Sequence, residues 1–451
     1  MNRANRPRMS RISGSSIASK LMTRAGDGST LFIDFTTGVI DPRITFTRAT
    51  GSGIQTGPTY VGSNQLIQYA TTNEPRFDYD LTTGVAKGLL IETTATNLVV
   101  WGQDCWGNNN WGRNLGVNIN AVSGSGGTTV SRIDGPDGGT LTGTSISKDA
   151  TFTFVRLFNS TAISASKQYT YSMYVRAGTG GTTYFRLAPF NGGTALTTVG
   201  ACSDPAVGID NASGFGTRFS NLPTDRWVRV WVTFTTDAGQ SSLTYTVYPN
   251  LTTSAASINY IWGAQVELGP IPSSVILTAA SSATRATDTA IIAAGSNFSS
   301  WYTGGTTGTF VANWYGNAAS STARSVIATN DVSTQHLHLY QTPSALTLRL
   351  ADRNAVGTVT TVTTANSMTA GALTKGAFSY NGTAANLCLN GGTVASGTLA
   401  FSSEPTWLSI GGPSTNGTSI TDTDVMLNNS ICSLKYWPSV LPNTTLQALT
   451  T

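Results

Sequence analysis

The sequence predicts an all-β protein organised as two tandem antiparallel β-sandwiches behind an extended N-terminal arm and a small β-hairpin segment. Composition is the first reason. Charged residues make up 11% of the 451 positions and hydrophobic residues 39%, with 48 glycines. That is far from the Glu/Lys/Leu-rich usage of helical proteins, and equally far from the high-charge, low-hydrophobicity usage of disordered chains. Periodicity is the second. Runs such as Tyr169-Thr170-Tyr171-Ser172-Met173-Tyr174-Val175 alternate with period two between Gly/Ser/Thr/Asp/Pro turns, and few stretches carry a helical repeat. Length is the third, since a chain of this size holds two to four domains, each burying its own core.

Taken in order, residues 1–28 read as a flexible basic arm. Arg3, Arg6, Arg8, Arg11, Lys20 and Arg24 precede the first acid, Asp27, so this arm accounts for the whole net charge of +4 and the remainder, at −1, is close to neutral. The arm is either a plain tail or an anchor that orders on an acidic partner. With the cations gathered there, no general nucleic-acid surface is expected. The arm lacks the apolar centre of a signal peptide, and no run reaches the roughly 18 apolar residues of a membrane span, so a soluble product made in the cytosol is expected.

Residues 29–98 form the hairpin segment. Leu31-Phe32-Ile33-Asp34-Phe35 makes a short strand, and Arg43-Ile44-Thr45-Phe46-Thr47-Arg48 an alternating one with Ile44 and Phe46 on one face. The stretch 73–98 then concentrates charge: six ionisable residues (Glu74, Arg76, Asp78, Asp80, Lys87, Glu92) fall between positions 74 and 92, where the overall charged fraction predicts about two. Phe77-Asp78-Tyr79-Asp80, the turn Leu81-Thr82-Thr83-Gly84 and the apolar Gly88-Leu89-Leu90-Ile91 read as a hairpin. Glu74, Arg76, Asp78, Asp80 and Glu92 are the candidates for a salt-bridged attachment joint.

Residues 99–285 predict the first sandwich. Its strands include 151–157, 169–175, 227–234 and 243–248, and Pro270, Pro272 and a serine-rich stretch close it. Residues 286–451 predict the second, with strands near 310–314, 325–328, 336–340, 346–350, 377–380, 386–389, 408–410 and 431–434. Asn381-Gly382 and Asn390-Gly391-Gly392 are tight-turn signals, and Pro442-Asn443-Thr444 opens one short helix.

The stretch 31–50 (LFIDFTTGVIDPRITFTRAT), followed by 73–99, resembles the recurrent N-terminal segment of tailed-bacteriophage virion proteins of the tail-fibre, collar or minor structural type. Trp262-Gly263-Ala264-Gln265-Val266-Glu267 with Thr284-Arg285-Ala286-Thr287-Asp288 is similar to the close of that family's middle module. Asn297-Phe298-Ser299-Ser300-Trp301-Tyr302 resembles the opening of its last module, and Leu434-Lys435-Tyr436-Trp437-Pro438 its close. Where the family continues with more charge after the hairpin, this chain has Ile91-Glu92-Thr93-Thr94-Ala95-Thr96-Asn97. The resemblance implies a carbohydrate-binding-module-like first sandwich and a concanavalin-A-like, lectin-type jelly roll as the second. It also implies a homotrimer.

Residue chemistry offers few catalytic groupings. Only four glutamates occur, Glu74, Glu92, Glu267 and Glu404, and none pairs with another acid in an obvious cleft motif of the kind glycoside hydrolysis needs. There is no GxSxG, HExxH or P-loop. The two histidines, His336 and His338, share a strand face with Tyr340, where a solvated face or subunit contact is expected over a metal site. Asp422 and Asp424 are weak calcium candidates in a polar loop. Cys105, Cys202, Cys388 and Cys432 lack metal or redox spacing and are expected as free thiols, a Cys388–Cys432 disulfide being the other reading. No cofactor is expected. Aromatic residues are the better binding candidates: Trp101, Trp106 and Trp111 in a Gly/Asn-rich stretch, then Tyr184, Trp314 and Tyr315, because indole and phenol faces stack on sugar rings.

Together these features lead to the expectation of a non-enzymatic virion structural protein, a tail fibre, spike or adhesin subunit. It would attach through its N-terminal part to other virion proteins (tail, portal/adaptor or capsid) and bind host surface polysaccharide by multivalent weak contacts. A capsid-decorating or collar cement protein, and a polysaccharide depolymerase spike, stay open as alternatives.

Overall fold

A computed structural model describes residues 27–53, 57–103, 128–148, 154–178, 184–211, 216–251, 257–330, 335–353, 359–399, 401 and 404–451. The chain is all-β, and every strand pairing among the described residues is antiparallel. Its two sandwiches are not strung end to end. Residues 128–268 form one sandwich, the insert, and it is set into the other, the frame, whose strands come from both sides of it in sequence.

The frame has two sheets. In one, Asn429–Trp437 pairs on one side with Thr307–Tyr315 and on the other with Leu31–Asp34 and Ala86–Ile91, and Phe77–Tyr79 extends that edge. In the other, Ile44–Arg48 pairs with Asp288–Ile292, which continues through Trp407–Ile410 to Arg324–Asn330, Gln335–Gln341, Thr347–Arg353 and Val359–Ser367. Leu31–Asp34, Ile44–Arg48, Phe77–Tyr79 and Ala86–Ile91 are thus shared out within the frame's sheets instead of forming an attachment segment of their own, because their apolar faces (Leu31, Ile33, Ile44, Phe46, Leu89, Ile91) are buried in the frame's core. Pairing them with strands several hundred residues away gives each backbone ladder its partners.

Alternation decides which side chains fill the frame. Ile44 and Phe46 are buried while Thr45 and Thr47 are exposed. Phe298, Trp301, Tyr302, Phe310, Phe378 and Tyr436 meet in one aromatic cluster, with Phe310 and Tyr436 rings 4.7 Å apart and Tyr302 stacked on Tyr436 at 5.1 Å. The expected C-terminal helix is present as Asn443–Thr450, and Leu446 packs it against Val311, Ala377, Cys388 and Trp437. Cys202, Cys388 and Cys432 are free thiols; Cys105 lies outside the described residues.

The insert packs two sheets, ordered 198–202, 228–235, 168–177, 257–268, 143–148, 128–133 and 154–162, 242–251, 184–191, 217–220, 208–210. Tyr171, Phe185, Phe219, Val230, Tyr245, Val247 and Val266 form its core. A two-stranded neck, Ala95–Asn97 against Ala283–Arg285, closes the insertion. Asn97 secures it. Its buried amide nitrogen donates to the carbonyls of Ala264 (3.0 Å) and Ile276 (2.8 Å), and its oxygen accepts from the amides of Val99 (3.0 Å) and Val266 (3.1 Å). All four hydrogen-bonding positions of the amide are used, two on the insert's longest strand and two beside the neck. A second apolar patch, Ile67, Tyr174, Trp227, Trp262, Val275 and Leu277, packs the Thr59–Val61/Ile67–Tyr69 hairpin against the insert.

Asn97→Ala leaves those four backbone groups without their partner in a site too buried for water to replace it freely. It is expected to lower stability by about 3 kcal/mol, read as a shift in the denaturant midpoint; a loss below about 0.5 kcal/mol would remove Asn97 from this role.

Candidate functional site

The charge of the 73–98 stretch divides into two groups at the root of the insert. Arg76 and Glu92 point inward into a buried cluster, and Asp78, Asp80 and Lys87 face a cleft between frame and insert. Glu74 joins neither: it is exposed and accepts from the Thr71 amide and hydroxyl at 2.8 Å.

The cluster unites Arg48, Arg76, Glu92, Arg285 and Asp288. Arg76 reaches Asp288 at 2.5 Å and Glu92 at 2.7 Å, Arg48 reaches the other Asp288 oxygen at 3.1 Å, and Arg285 reaches Glu92 at 3.2 Å. Every partner is at least 95% buried. Further donors go to backbone: Arg48 to the Thr71 and Glu74 carbonyls, Arg76 to Thr59, Arg285 to Thr93, while the Nε of each arginine has no hydrogen-bond partner among the described residues. Ser274 closes the ring, its amide and hydroxyl each 2.7 Å from the Glu92 carboxylate. Burial alone opposes ionisation of Glu92, but Arg285, Arg76 and the Ser274 hydrogen bonds outweigh it and hold the carboxyl down at about 2. Burial likewise works against the charge of Arg76, and Asp288 and Glu92 more than offset it, so its proton is held more tightly than usual. Arg48 and Arg285 are shifted the other way, first by burial and then by the neighbouring guanidiniums. Beside the cluster, burial raises Glu267, whose carboxylate accepts from Ser273 and Gln265.

The expected joint residues Arg76 and Glu92 are therefore brought together. Arg48, Arg285 and Asp288 were not anticipated as their partners. A faint signal existed in Asp288, an acid that opens the fully buried strand Asp288–Ile292 in a chain with few charges. Asp78 and Asp80 do not pair with an arginine: Asp78 accepts from the Val61 amide at 2.9 Å, while Asp80 caps the turn through the Thr82 and Thr83 amides and lies 3.7 Å from Lys87.

The cleft has a volume of about 580 Å³, within the range of small-molecule sites. One wall is frame, with Tyr60, Asp78, Tyr79 and Lys87; the other is the outer face of the insert, with Val199 and Trp231. Trp231 and both tyrosines are half-buried, and Val199, at 66% exposed, marks the rim. Burial raises Asp78, and burial followed by the Glu74 charge raises Tyr60. The Lys87 ammonium sits 5.5 Å from the Tyr315 ring. Ring faces set among carboxylate, hydroxyl and amide groups are the donor set that holds a sugar, stacking on its C–H face and bonding its hydroxyls.

The aromatic candidates are scattered. Trp314 is fully buried in the frame's core, which corrects its placement on a binding surface: Phe310, Ala312 and Trp314 share the inward face of one strand. Tyr315, on the opposite face, borders the cleft region through Lys87. Trp101 packs against the insert's core, Tyr184 is 40% exposed on the insert's far sheet, and Trp106 and Trp111 lie outside the described residues. His338 is half-buried on the face opposite the core residues Leu337 and Leu339: its ring is within 3.0 Å of the Ser325 hydroxyl and 4.8 Å from the Tyr340 ring, and burial lowers it to about 4. The side chain of His336 lies outside the described set. Asp422 and Asp424 are exposed, and among the described residues no three metal-ligating side chains gather. Among those residues, too, no helix is long and apolar enough to cross a membrane.

No protein-family model and no curated protein sequence matches the chain. Its likenesses to solved structures are distant. They include the CBM40 domain of a Ruminococcus gnavus IT-sialidase bound to α2,3-sialyllactose (18% identity, 32% of this chain and 83% of that one, TM-score 0.28). Domain 4 of the Geobacillus stearothermophilus arabinanase AbnA with arabinotriose matches at 14% identity over 37% and 73%, TM-score 0.29. Mouse laminin α1 LG4-5 matches at 12% over 72% and 93%, TM-score 0.23. Likenesses this remote carry no argument about ligand or activity.

Glu92 gives the cluster a pH signature. Its carboxyl is held below the ordinary 4.5, so the stability it contributes is full above that value and is lost as pH falls through about 2. Glu92→Gln is expected to lower unfolding free energy at pH 7 by about 3 kcal/mol. The gap to the unmodified protein should narrow progressively in urea melts at pH 4 and 2.5. A gap that ignores pH would show that Glu92 is not an ionised partner.

Proposed function

We propose that the chain is a structural subunit of a tailed-phage-type virion, of the fibre, spike or adhesin kind, that binds host-surface glycan without chemically altering it. The observation that supports this reading best is the inter-sandwich cleft, where Trp231, Tyr60 and Tyr79 stand with Asp78 and Lys87 between the two sandwiches, next to the buried ion pairs at the base of the neck. The virion assignment rests on the sequence resemblance of 31–98, 262–288 and 297–302. Asp27, the first described residue, is held against Lys435 and by the Trp437 indole N–H (2.9 Å to the Asp27 carbonyl), which places the start of the described chain on the frame. Homotrimeric assembly and contacts with other virion proteins belong to the same proposal.

One observation favours the depolymerase as a second reading. Asp78 and Asp80 line the same cleft and their environments push them apart, Asp78 upward by burial and Asp80 downward by its turn amides and Lys87 against the effect of burial. Asp80, however, already uses one oxygen on three donors of the turn and the other on Lys87, which leaves it poorly placed to act on a sugar.

Trp231→Ala removes the largest ring of the cleft and is expected to weaken binding on a host-polysaccharide array at least tenfold, with no reducing ends released by either protein. Unchanged binding would remove the cleft from the proposal. Release of reducing ends that stops in Asp78→Asn would establish the depolymerase instead.

A further inference from the structure

The far sheet of the insert carries a feature unrelated to the cleft. Phe185, Leu187, Phe219, Tyr245, Val247 and Leu157 point into the core, so their neighbours in sequence point outward. The strand register then lines up Arg186 directly opposite Tyr248 on one side and Arg218 on the other, and Arg218 opposite Asp210. Arg156 occupies the bulge between the pairs Val155–Asn250 and Leu157–Val247, across from Tyr248. Three arginines from three strands thus form one row about 14 Å long at the usual strand spacing.

We propose that this row binds an acidic polysaccharide, a polymer of carboxylate-bearing sugars such as uronic acids. Like charges placed directly opposite on neighbouring strands repel, yet Arg186 and Arg218 hold that position. Among the described residues Asp210 is the row's one acid, at its end, and it pairs with Arg218; the row thus gathers three guanidiniums and one carboxylate on a body that is otherwise net negative beyond the arm. Each guanidinium also lies over a ring: Arg156 over Phe158 at 5.0 Å, Arg186 over Tyr248 at 5.6 Å, Arg218 over Tyr184 at 5.4 Å. Stacking holds the planar forks in place, which favours bidentate recognition of carboxylates. Tyr184, 40% exposed, adds an open ring face to the same row. Three guanidiniums are few for duplex DNA, whose binding draws on many phosphate contacts, and suit a polymer with one carboxylate per sugar.

The inference deepens the glycan-binding reading and rests on it, and the test separates the two. The full-length chain is titrated with a polyuronate, a neutral dextran and a DNA duplex at fixed ionic strength. Polyuronate is expected to bind, and Arg186→Ala with Arg156→Ala to weaken that binding by roughly 30-fold or more. Arg186→Lys keeps a cation and a long stem but loses the fork, so it should recover only part of the loss and also serves as the variant least disturbing to folding. Neutral polymer bound and polyuronate ignored would overturn this inference and leave the glycan-binding reading standing. Neither bound would overturn both. Equal polyuronate affinity in the variants, or DNA bound more tightly and lost in the same variants, would overturn the inference alone.

Discussion

The architecture depends on five charged side chains that have no water to fall back on. Arg48, Arg76, Glu92, Arg285 and Asp288 come from both sides of the insertion, and each is stable in its site only while the others are present. Taking such groups out of water costs several kcal/mol apiece, which mutual attraction recovers only with close geometry and satisfied hydrogen bonds. The two carboxylates meet both conditions. Asp288 receives Arg48, Arg76 and the Glu92 amide, and Glu92 receives Arg76, Arg285 and both donors of Ser274. An apolar plug would hold the neck with comparable energy, but it would tolerate sliding; a ring of forks and carboxylates fixes one register.

That register sets what the surfaces offer. The cleft exists because the outer face of the insert around Trp231 is held opposite the Tyr60–Tyr79 region of the frame, with the apolar patch of Tyr174, Trp262 and Val275 packed behind it. Gly88 shows how tightly the frame is drawn at this point: its φ of +95° sits where a Cβ would lie 2.2 Å from the Ile431 carbonyl, so only glycine lets Ala86–Ile91 approach that strand. The arginine row belongs to the sheet on the other side of the insert, so one body presents two surfaces of different chemistry, one aromatic and mixed in charge, one cationic.

Much of this was legible in the sequence. The alternating runs of 168–177, 228–235 and 242–251 appear as strands, and the turn at Gly84 and the C-terminal helix were marked by their own residues. The excess charge around Arg76 and Glu92 ends in buried ion pairs. Their partners were hidden because Asp288 lies 212 residues from Arg76 along the chain, and periodicity is a local signal. The same blindness placed the strands of 29–98 in a segment of their own, since nothing local says that Leu31–Asp34 completes a sheet with residues 433–436. Trp314 was misplaced although alternation with Phe310 already pointed it inward. The arginine row was invisible for a different reason: Arg156, Arg186 and Arg218 are single charges in separate strands, and only cross-strand register collects them.

The most direct measurement on the central claim is native-state hydrogen exchange in Asp288→Ala, which leaves two buried guanidiniums without their shared carboxylate. The neck amides of Ala95–Asn97 and Ala283–Arg285 should then exchange about 100-fold faster, while core amides such as Val230 and Val247 keep their protection. Unchanged protection at the neck would contradict the claim that the buried charges hold the base of the neck together.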